Sequence, residues 1–284
     1  MFNILIADSG STKTDWAVVT PSSSTSVPLH VVQTQGINPI HQDDDTILKI
    51  LRDELMPQLA DKLVRSLFFY GSGVRPDQEA RIGRLLQLTF PQAETLEAKS
   101  DLLGAARALC GRNEGIACIL GTGANSCLYD GEKIVANTPA LGYVLGDEGS
   151  GAVLGRLFLN ALYKGRLYKG AEAEFEAQTG LTMADVITQV YRQPMANRWL
   201  ASLSQYIHQR LDHCEVHELV VGNFRDFIRI NVRPYSRPDL PLHAVGSIAY
   251  FYRDQLAEAA QAENCLLGRV MRTPMEGLAS WFLR

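Results

Sequence analysis

The sequence predicts an α/β protein made of two similar domains. Two patterns lead there. Short apolar runs rich in β-branched residues alternate with stretches whose apolar residues recur at helical spacing. A unit of strand, Gly-containing polar turn and second strand also occurs twice, once at the start of the chain and once near residue 116. The halves share an order of elements, not a sequence. A chain of 284 residues is long enough for two domains. The division is expected at 1–111 and 112–284, with the two glycine turns facing a common cleft.

Each element has its own local reason. Phe2 to Ala7 is a β-branched run that ends in a polar turn, so it reads as a buried strand. The turn Asp8-Ser9-Gly10-Ser11-Thr12-Lys13-Thr14 leads to a second strand at Asp15 to Val19. A polar loop at Ser22 to Ser26 leads to a third at Leu29 to Gln33. In the segment from Asp45 to Leu63, Ile47, Ile50, Leu51, Leu55, Leu59 and Leu63 form one helical stripe. A strand at Leu67 to Tyr70, a helix at Pro76 to Leu88, an edge strand at Glu94 to Ala98 and a helix at Asp101 to Cys110 complete the first half.

The second half opens with strands at Ile116 to Leu120, Ser126 to Tyr129 and Lys133 to Asn137. A long helical region starts near Gly149. A strand at Leu242 to Val245 and a helix at Ser247 to Ala262 follow. Thr273, Pro274 and Glu276 read as N-cap, N1 and N3 of a capping box. They would open a last helix, 274–283, able to pack back on the N-terminal domain.

Composition removes several classes of function. Apolar residues are 46% and charged residues 20%, ordinary for a globular chain. Acidic residues outnumber basic ones 31 to 27, which argues against a nucleic-acid partner. No apolar run approaches the roughly 18 residues of a membrane span, and the N-terminus has no basic leader. The five cysteines form no CxxC pair, so neither a zinc site nor a disulfide framework is expected. A reduced, cytoplasmic enzyme is the reading. The six histidines show no metal spacing, Trp16, Trp199 and Trp281 read as core, and Arg225, Arg229, Arg233 and Arg237 read as a solvated helical stripe.

The chemistry concentrates in a few turns. In the first, Gly10 frees backbone N–H groups to face an anion, Ser11, Thr12 and Thr14 add hydroxyls, and Lys13 adds positive charge. Asp8, at a strand end, suits a hydrated Mg²⁺. The spacing is not that of a Walker A loop. The second turn, Gly121-Thr122-Gly123-Ala124-Asn125, has the same character without charge. Asp101 has two roles open to it, satisfying free N–H groups at a helix start or acting as a general base. Gly142 to Gly151 holds four glycines and the acids Asp147 and Glu148 ahead of a helix, more than a cap requires. Asn38 is either a turn former or an amide offered to a sugar. Gly71-Ser72-Gly73 ends a strand and allows close approach of a ligand. Gly222-Asn223 and Gly246-Ser247 each follow an apolar run, as helix caps or as resting places for a nucleotide.

Assembled, these blocks resemble the acetate/sugar kinase, Hsp70 and actin superfamily. They are most similar to the BadF/BadG/BcrA/BcrD ATPase family, which includes N-acetylglucosamine kinase. The matching blocks are Ala7 to Thr14, Gly121 to Asn125 and Gly142 to Ser150, in order along nearly the whole chain. The resemblance implies two ribonuclease-H-like domains of the actin-like ATPase type with ATP in the cleft between them. It implies Ser11, Thr12, Gly121 and Thr122 near phosphates, joined by Gly10, Lys13 and Gly123 of the same turns, and Asp8 near Mg²⁺. It makes Asp101 the catalytic base, and Asn38, Ser72, Asn125, Gly142 and Asp147 sugar contacts, with Asp101 and Thr122 also at the sugar. Gly246 and Ser247 look like the adenosine-side turn, with Gly222 in the nearest place to the family's usual Gly-Gly pair. Two positions depart from the pattern: Asn223 stands in that pair, and Pro39-Ile40 follows Asn38 where an aromatic is usual.

The expected activity is ATP-dependent phosphorylation of the 6-hydroxyl of N-acetylglucosamine, with glucosamine or another hexosamine as the alternative substrate. An ATPase activator of a reductase or dehydratase is the alternative of another class. The partners expected are a sugar and ATP, with no nucleic acid and no membrane, and a homodimer is allowed.

Overall fold

The computed structural model describes residues 3–10, 12–20, 30–59 and 62–283. Ser11 and the loop 22–26 lie outside the described residues. Among the described residues ten strands form two mixed sheets. The first contains β1 (Asn3–Ser9), β2 (Lys13–Val19), β3 (His30–Gln35), β4 (Val64–Gly71) and β5 (Thr95–Ser100) in the order β3-β2-β1-β4-β5. The second contains β6 (Gly115–Leu120), β7 (Ala124–Tyr129), β8 (Ile134–Thr138), β9 (Leu242–Val245) and β10 (Leu267–Met271) in the order β10-β9-β6-β7-β8.

The two orders are the same pattern. In each sheet the first two strands make an antiparallel hairpin, the third strand joins outside the hairpin, and two later strands extend the other side. β4 runs parallel to β1, as β9 does to β6. The repeat of topology read from the sequence is therefore present, in the α/β class expected.

The chain divides into two compact units. One is Met1–Asn113 with Asp130–Ile134 and Thr273–Arg284, and the other is Glu114–Tyr129 with Val135–Arg272. In the first unit helices cover both faces of the sheet. Leu5, Trp16, Leu67 and Phe69 pack with Ile47, Leu51, Leu55, Ile82 and Leu86 on one side. Ile6, Ala17 and Tyr70 pack with Ala108, Met275 and Leu278 on the other. Burial on both faces explains why β1 and β4 read as nearly continuous apolar runs. In the second unit Ile116, Cys118 and Leu120 join Leu154, Phe158, Phe224, Phe227 and Leu256. Each such side chain contributes about 1.5–3 kcal/mol of burial.

Several local expectations are corrected. The first helix starts behind Asp43, whose carboxylate accepts from the Thr46 N–H at 2.9 Å. It loosens into a π-turn at Ile50–Leu55 ahead of Pro57, which has no N–H to donate, and ends at Leu59, short of Leu63. The helix expected over 247–262 is two, Ser247–Phe251 and Arg253–Ala262. Tyr252 breaks it: the ring is buried and its hydroxyl donates to the Ser204 carbonyl. The capping box at 273–276 does not form. Pro274 sits at the N-cap of Met275–Phe282, one residue later than Thr273, and no side chain bonds the helix start.

The arginine stripe is solvent-exposed, but it is tied to acids rather than left free. Arg225, Arg229 and Arg233 all pair with Glu263, whose side chain is 2% exposed. A carboxylate so deeply buried needs charge partners, and three converge on it. Arg237 instead pairs with Glu114 and Asp239. Trp16 is core, but Trp199 and Trp281 are only partly buried. The guanidiniums of Arg107 and Arg112 lie 4.5 Å and 3.9 Å from the Trp281 ring centroid. Among the described residues the five cysteines form no disulfide.

One packing contact gives a direct test. The helices Gly151–Tyr163 and Ala196–Ser202 approach so closely that a Cβ on Gly155 would lie 2.1 Å from the Leu200 carbonyl oxygen. Overpacking of this kind costs about 1–3 kcal/mol, so Gly155→Ala is expected to lower the melting temperature by roughly 2–10 °C. A calorimetric scan with an unchanged midpoint would mean that the helices do not meet there.

Candidate functional site

The first group of candidates gathers where parallel strands end. Register pairs Ser9 with Gly71 and Gly71 with Ser100, so β1, β4 and β5 finish level. Asp8, the turn at Ser72 and Asp101 therefore share the carboxyl edge of the sheet, the usual location for ligands in α/β folds. The Ser72 N–H donates to the Ser9 carbonyl at 2.8 Å. The Ser9 hydroxyl donates to the Ile37 carbonyl and accepts from the Ile37 N–H, each at 3.0 Å, drawing the Asn38 turn onto the same edge. Asn38 is buried, and its Oδ1 accepts from the Ile40 N–H at 3.0 Å. Its Oδ1 thus closes the turn, and its amide packs where Gly73 leaves room.

Asp101 is the first residue of its helix, not the cap. Ser100 is the N-cap, and its Oγ accepts from the Leu103 N–H at 3.3 Å. The Asp101 carboxylate accepts from the Leu102 N–H at 2.9 Å. Burial raises its pKa to about 6, offset in part by the N–H groups of Leu102 and of Asp101 itself. The carboxyl therefore sits near neutrality in its affinity for a proton.

Asp8 is shifted further. Burial, then the charges of Asp101 and Asp15, push it up to about 7, and Lys13 counteracts them. Asp15 lies directly across the β1–β2 hairpin from Asp8. Lys13, expected at phosphate, pairs with Asp15 at 2.9 Å and is half exposed. Gly10 and Thr12 form the tight hairpin end, where the Gly10 N–H donates to the Lys13 carbonyl at 3.0 Å. Among the described residues no cluster of three or more His, Cys, Asp or Glu could hold a metal ion alone. A carboxylate raised by neighbouring carboxylates still suits a cation that keeps most of its water, as Mg²⁺ does.

The second group is held together by Asp147. Its carboxylate accepts from the N–H groups of Ala124 and Gly142, and burial raises its pKa to about 6 against those two bonds. Oδ2 would lie 2.9 Å from a Cβ on Gly123, so only glycine leaves room for it there. Asp147 itself has φ +57°, a left-handed conformation that costs a non-glycine residue roughly 1 kcal/mol or more. One strained residue thus ties Gly123, Ala124 and Gly142 together. Gly121 and Thr122 accept through their carbonyls from the N–H groups of Gly151 and Ala152, at 2.8 and 3.1 Å. Gly246, at φ +127°, joins the same turn, because a Cβ there would lie 2.3 Å from the Leu120 carbonyl oxygen. Ser247 then opens its helix, exposed.

Gly222 does not form a turn after a strand. It lies inside the helix Cys214–Phe227, and no heavy atom would meet a Cβ there within 4 Å. Its neighbour Asn223 has a clear role that sequence reasoning missed. Asn223 is buried, accepts from the Gly149 N–H at 2.9 Å and donates to the Ser150 carbonyl at 3.4 Å, bracing the acidic turn. Asn231 likewise donates to Glu148 Oε2 at 3.1 Å. Both asparagines sit in helical runs where a polar residue reads as solvent-facing, and only their burial would have marked them. Asp15 was also passed over as a candidate, although it lies across the hairpin from Asp8.

Two sheets of one repeated topology, each ending in a glycine turn beside shifted carboxylates, define an α/β phosphotransferase of the actin-like ATPase class. No family model and no curated protein matches the chain. A solved structure from Porphyromonas gingivalis, provisionally named an N-acetylglucosamine kinase, is 49% identical to it. The match covers 99% of this chain and 98% of that one, with a TM-score of 0.93. The chain belongs to this N-acetylglucosamine-kinase-like family of sugar kinases. A second structure with the same provisional name, from Chromobacterium violaceum, shares the fold at 20% identity, covering 100% of this chain and 99% of that one with a TM-score of 0.70. A ROK family glucokinase from Streptomyces griseus, solved with glucose and AMPPNP, shares it at 12% identity, with 98% and 97% covered and a TM-score of 0.56. Among the described residues no helix is long and apolar enough to cross a membrane.

Proposed function

We propose that the protein transfers the γ-phosphoryl group of ATP to the 6-hydroxyl of N-acetylglucosamine. The observation that carries this reading is Asp101, a partly buried carboxyl with a pKa near 6, freed from capping by Ser100. A base of that strength is ionised at neutral pH yet still accepts a proton readily. Asp101 orients the sugar hydroxyl and takes its proton as the oxygen attacks the γ-phosphorus. The bond from that phosphorus to the β–γ bridging oxygen breaks, and ADP leaves with the electron pair. In this reading Asn38, Ser72, Asn125, Gly142 and Asp147 contact the sugar, and the turns at Gly10–Lys13 and Gly121–Gly123 bind phosphates through N–H groups. Gly246 and Ser247 receive the adenosine. Asp8 would hold a hydrated Mg²⁺, which when bound neutralises phosphate charge. Most of the catalysis is positioning and charge stabilisation.

An ADP-release assay over N-acetylglucosamine, glucosamine, N-acetylmannosamine and glucose tests the reading. We expect kcat/KM for N-acetylglucosamine to exceed the others by about tenfold or more, the scale of one pocket contact, and the 6-deoxy sugar to support no turnover. A preference for glucosamine would move the assignment to the free amine. If no sugar raised ADP release above the sugar-free rate, sugar phosphorylation would be abandoned.

A further inference from the structure

A side-chain amide offers an acceptor at one end and a donor at the other, and partners that have only one polarity decide which end faces them. Asn125 meets such partners. The Ser126 N–H, which can only donate, lies 2.9 Å from its Oδ1. Asn137 meets the opposite kind. Its amide end faces the Ser126 carbonyl at 2.7 Å and the Thr138 carbonyl at 3.1 Å, both of which only accept, so that end is the NH₂ group. The same Nδ2 donates to Asn125 Oδ1 at 2.9 Å. Both acceptor positions of Asn125 are therefore filled from within the protein. Its own NH₂ donates to no acceptor among the described residues.

The brace is itself held. Thr138, next to Asn137, donates through its N–H to the Tyr235 hydroxyl and through Oγ1 to the Asn231 carbonyl, each at 3.0 Å. The buried Ser126 hydroxyl bonds the same two groups, at 2.7 and 3.0 Å. Asn231 comes from a π-helical turn, Ile228–Val232, a rare distortion that recurs at functional sites. It turns its carbonyl to these strands while its amide reaches Glu148. The edge strand β8 thus has a fixed place beside β7, and Asn137 projects from it onto Asn125.

We infer that Asn137 is a positioning residue that locks Asn125 as a hydrogen-bond donor toward the sugar, so that this corner of the site reads an oxygen lone pair on the substrate. This rests on the sugar-kinase reading above. The lone pair belongs either to a ring hydroxyl or to an acetamido carbonyl, and a test with two sugars separates them.

The experiment measures steady-state kinetics of the full chain with Asn137→Ala, Asn137→Asp and Asn125→Asp, on N-acetylglucosamine and glucose, with thermal midpoints as a folding control. Asn137 is exposed, so its substitution is compatible with folding. Without the brace the Asn125 amide is free to flip, and the sugar KM of Asn137→Ala is expected to rise about tenfold, the size of one neutral hydrogen bond. kcat and the KM for ATP stay within about twofold, which a general loosening of the fold would not give. Asn137→Asp is expected to be at least as damaging, because a carboxylate has no hydrogen to offer three acceptors. Asn125→Asp, which removes the donor itself, should raise the sugar KM further. A loss confined to N-acetylglucosamine identifies the carbonyl, and an equal loss on glucose identifies a hydroxyl. Unmoved sugar KM values in both Asn137 variants, or a parallel rise in the KM for ATP, would overturn the inference alone. A wild-type protein with no sugar-dependent ADP release would remove the kinase reading together with it.

Discussion

Asp101→Asn is expected to retain sugar binding within about threefold and to lose about 10²- to 10⁴-fold in kcat, the usual contribution of a positioned general base. Asparagine is nearly the same size, and its Oδ1 can still accept from the Leu102 N–H that the carboxylate bonds at 2.9 Å. The helix start keeps its Ser100 cap in either case. What the variant lacks is a group to take the proton. The pH dependence gives a second readout. Only the ionised carboxylate acts as a base, so wild-type kcat should rise with pH through an apparent pKa of about 6. That limb should be missing in the variant. Calorimetric titration with N-acetylglucosamine and a pH series of initial rates check both halves. Turnover that survives the substitution would leave Asp101 as a helix-start anion and nothing more.

Asp8→Asn should separate stability from activity. The wild-type carboxyl has its pKa raised to about 7, first by burial and then by Asp101 and Asp15. The folded protein therefore holds this proton more tightly than the unfolded chain does. The associated stability is fully present below the unfolded value near 4 and is lost as the pH rises through about 7. At pH 8 the folded state carries the cost of an ionised carboxylate among its own kind. Removing that charge is expected to stabilise the free protein by up to about 4 kcal/mol at pH 8 and by less than half that at pH 5. The same variant should lose most of its turnover, because the carboxylate proposed to hold Mg²⁺ is gone. Melting curves at the two pH values, beside initial rates, test the pairing. A variant less stable than wild type at pH 8 would show that the carboxylate is compensated by partners and carries no such cost.

The strands could be read because burial on both faces forces β-branched apolar runs, and β1, β4, β6 and β9 all stand within a few residues of where those runs lie. The helix Asp101–Cys110 announced itself through Ser100 and the acid after it. The glycine turns were legible for a related reason: few side chains tolerate a carboxylate oxygen as close as Asp147 Oδ2 lies to Gly123. Where reading failed, the deciding partner was distant in the chain. Glu263, a buried carboxylate, drew three exposed arginines of that four-residue spacing into one ion cluster. The Ser204 carbonyl drew in the Tyr252 hydroxyl and split a helix whose periodicity looked continuous. β10 escaped notice because an edge strand of five partly exposed residues carries little pattern of its own.

The chain alone therefore settled where most of the strands lie, that the arrangement is repeated, and which short turns carry glycine beside acid. Those properties follow from local hydrophobic period and backbone freedom. Folding decided what each polar group does. Whether Asp101 caps or is spare, how far Asp8 and Asp147 are shifted, and which end Asn125 presents all depend on burial and on single-polarity partners. Some of those partners sit on other elements, as Asn137 does for Asn125 and Ala124 for Asp147, so local pattern alone does not encode them.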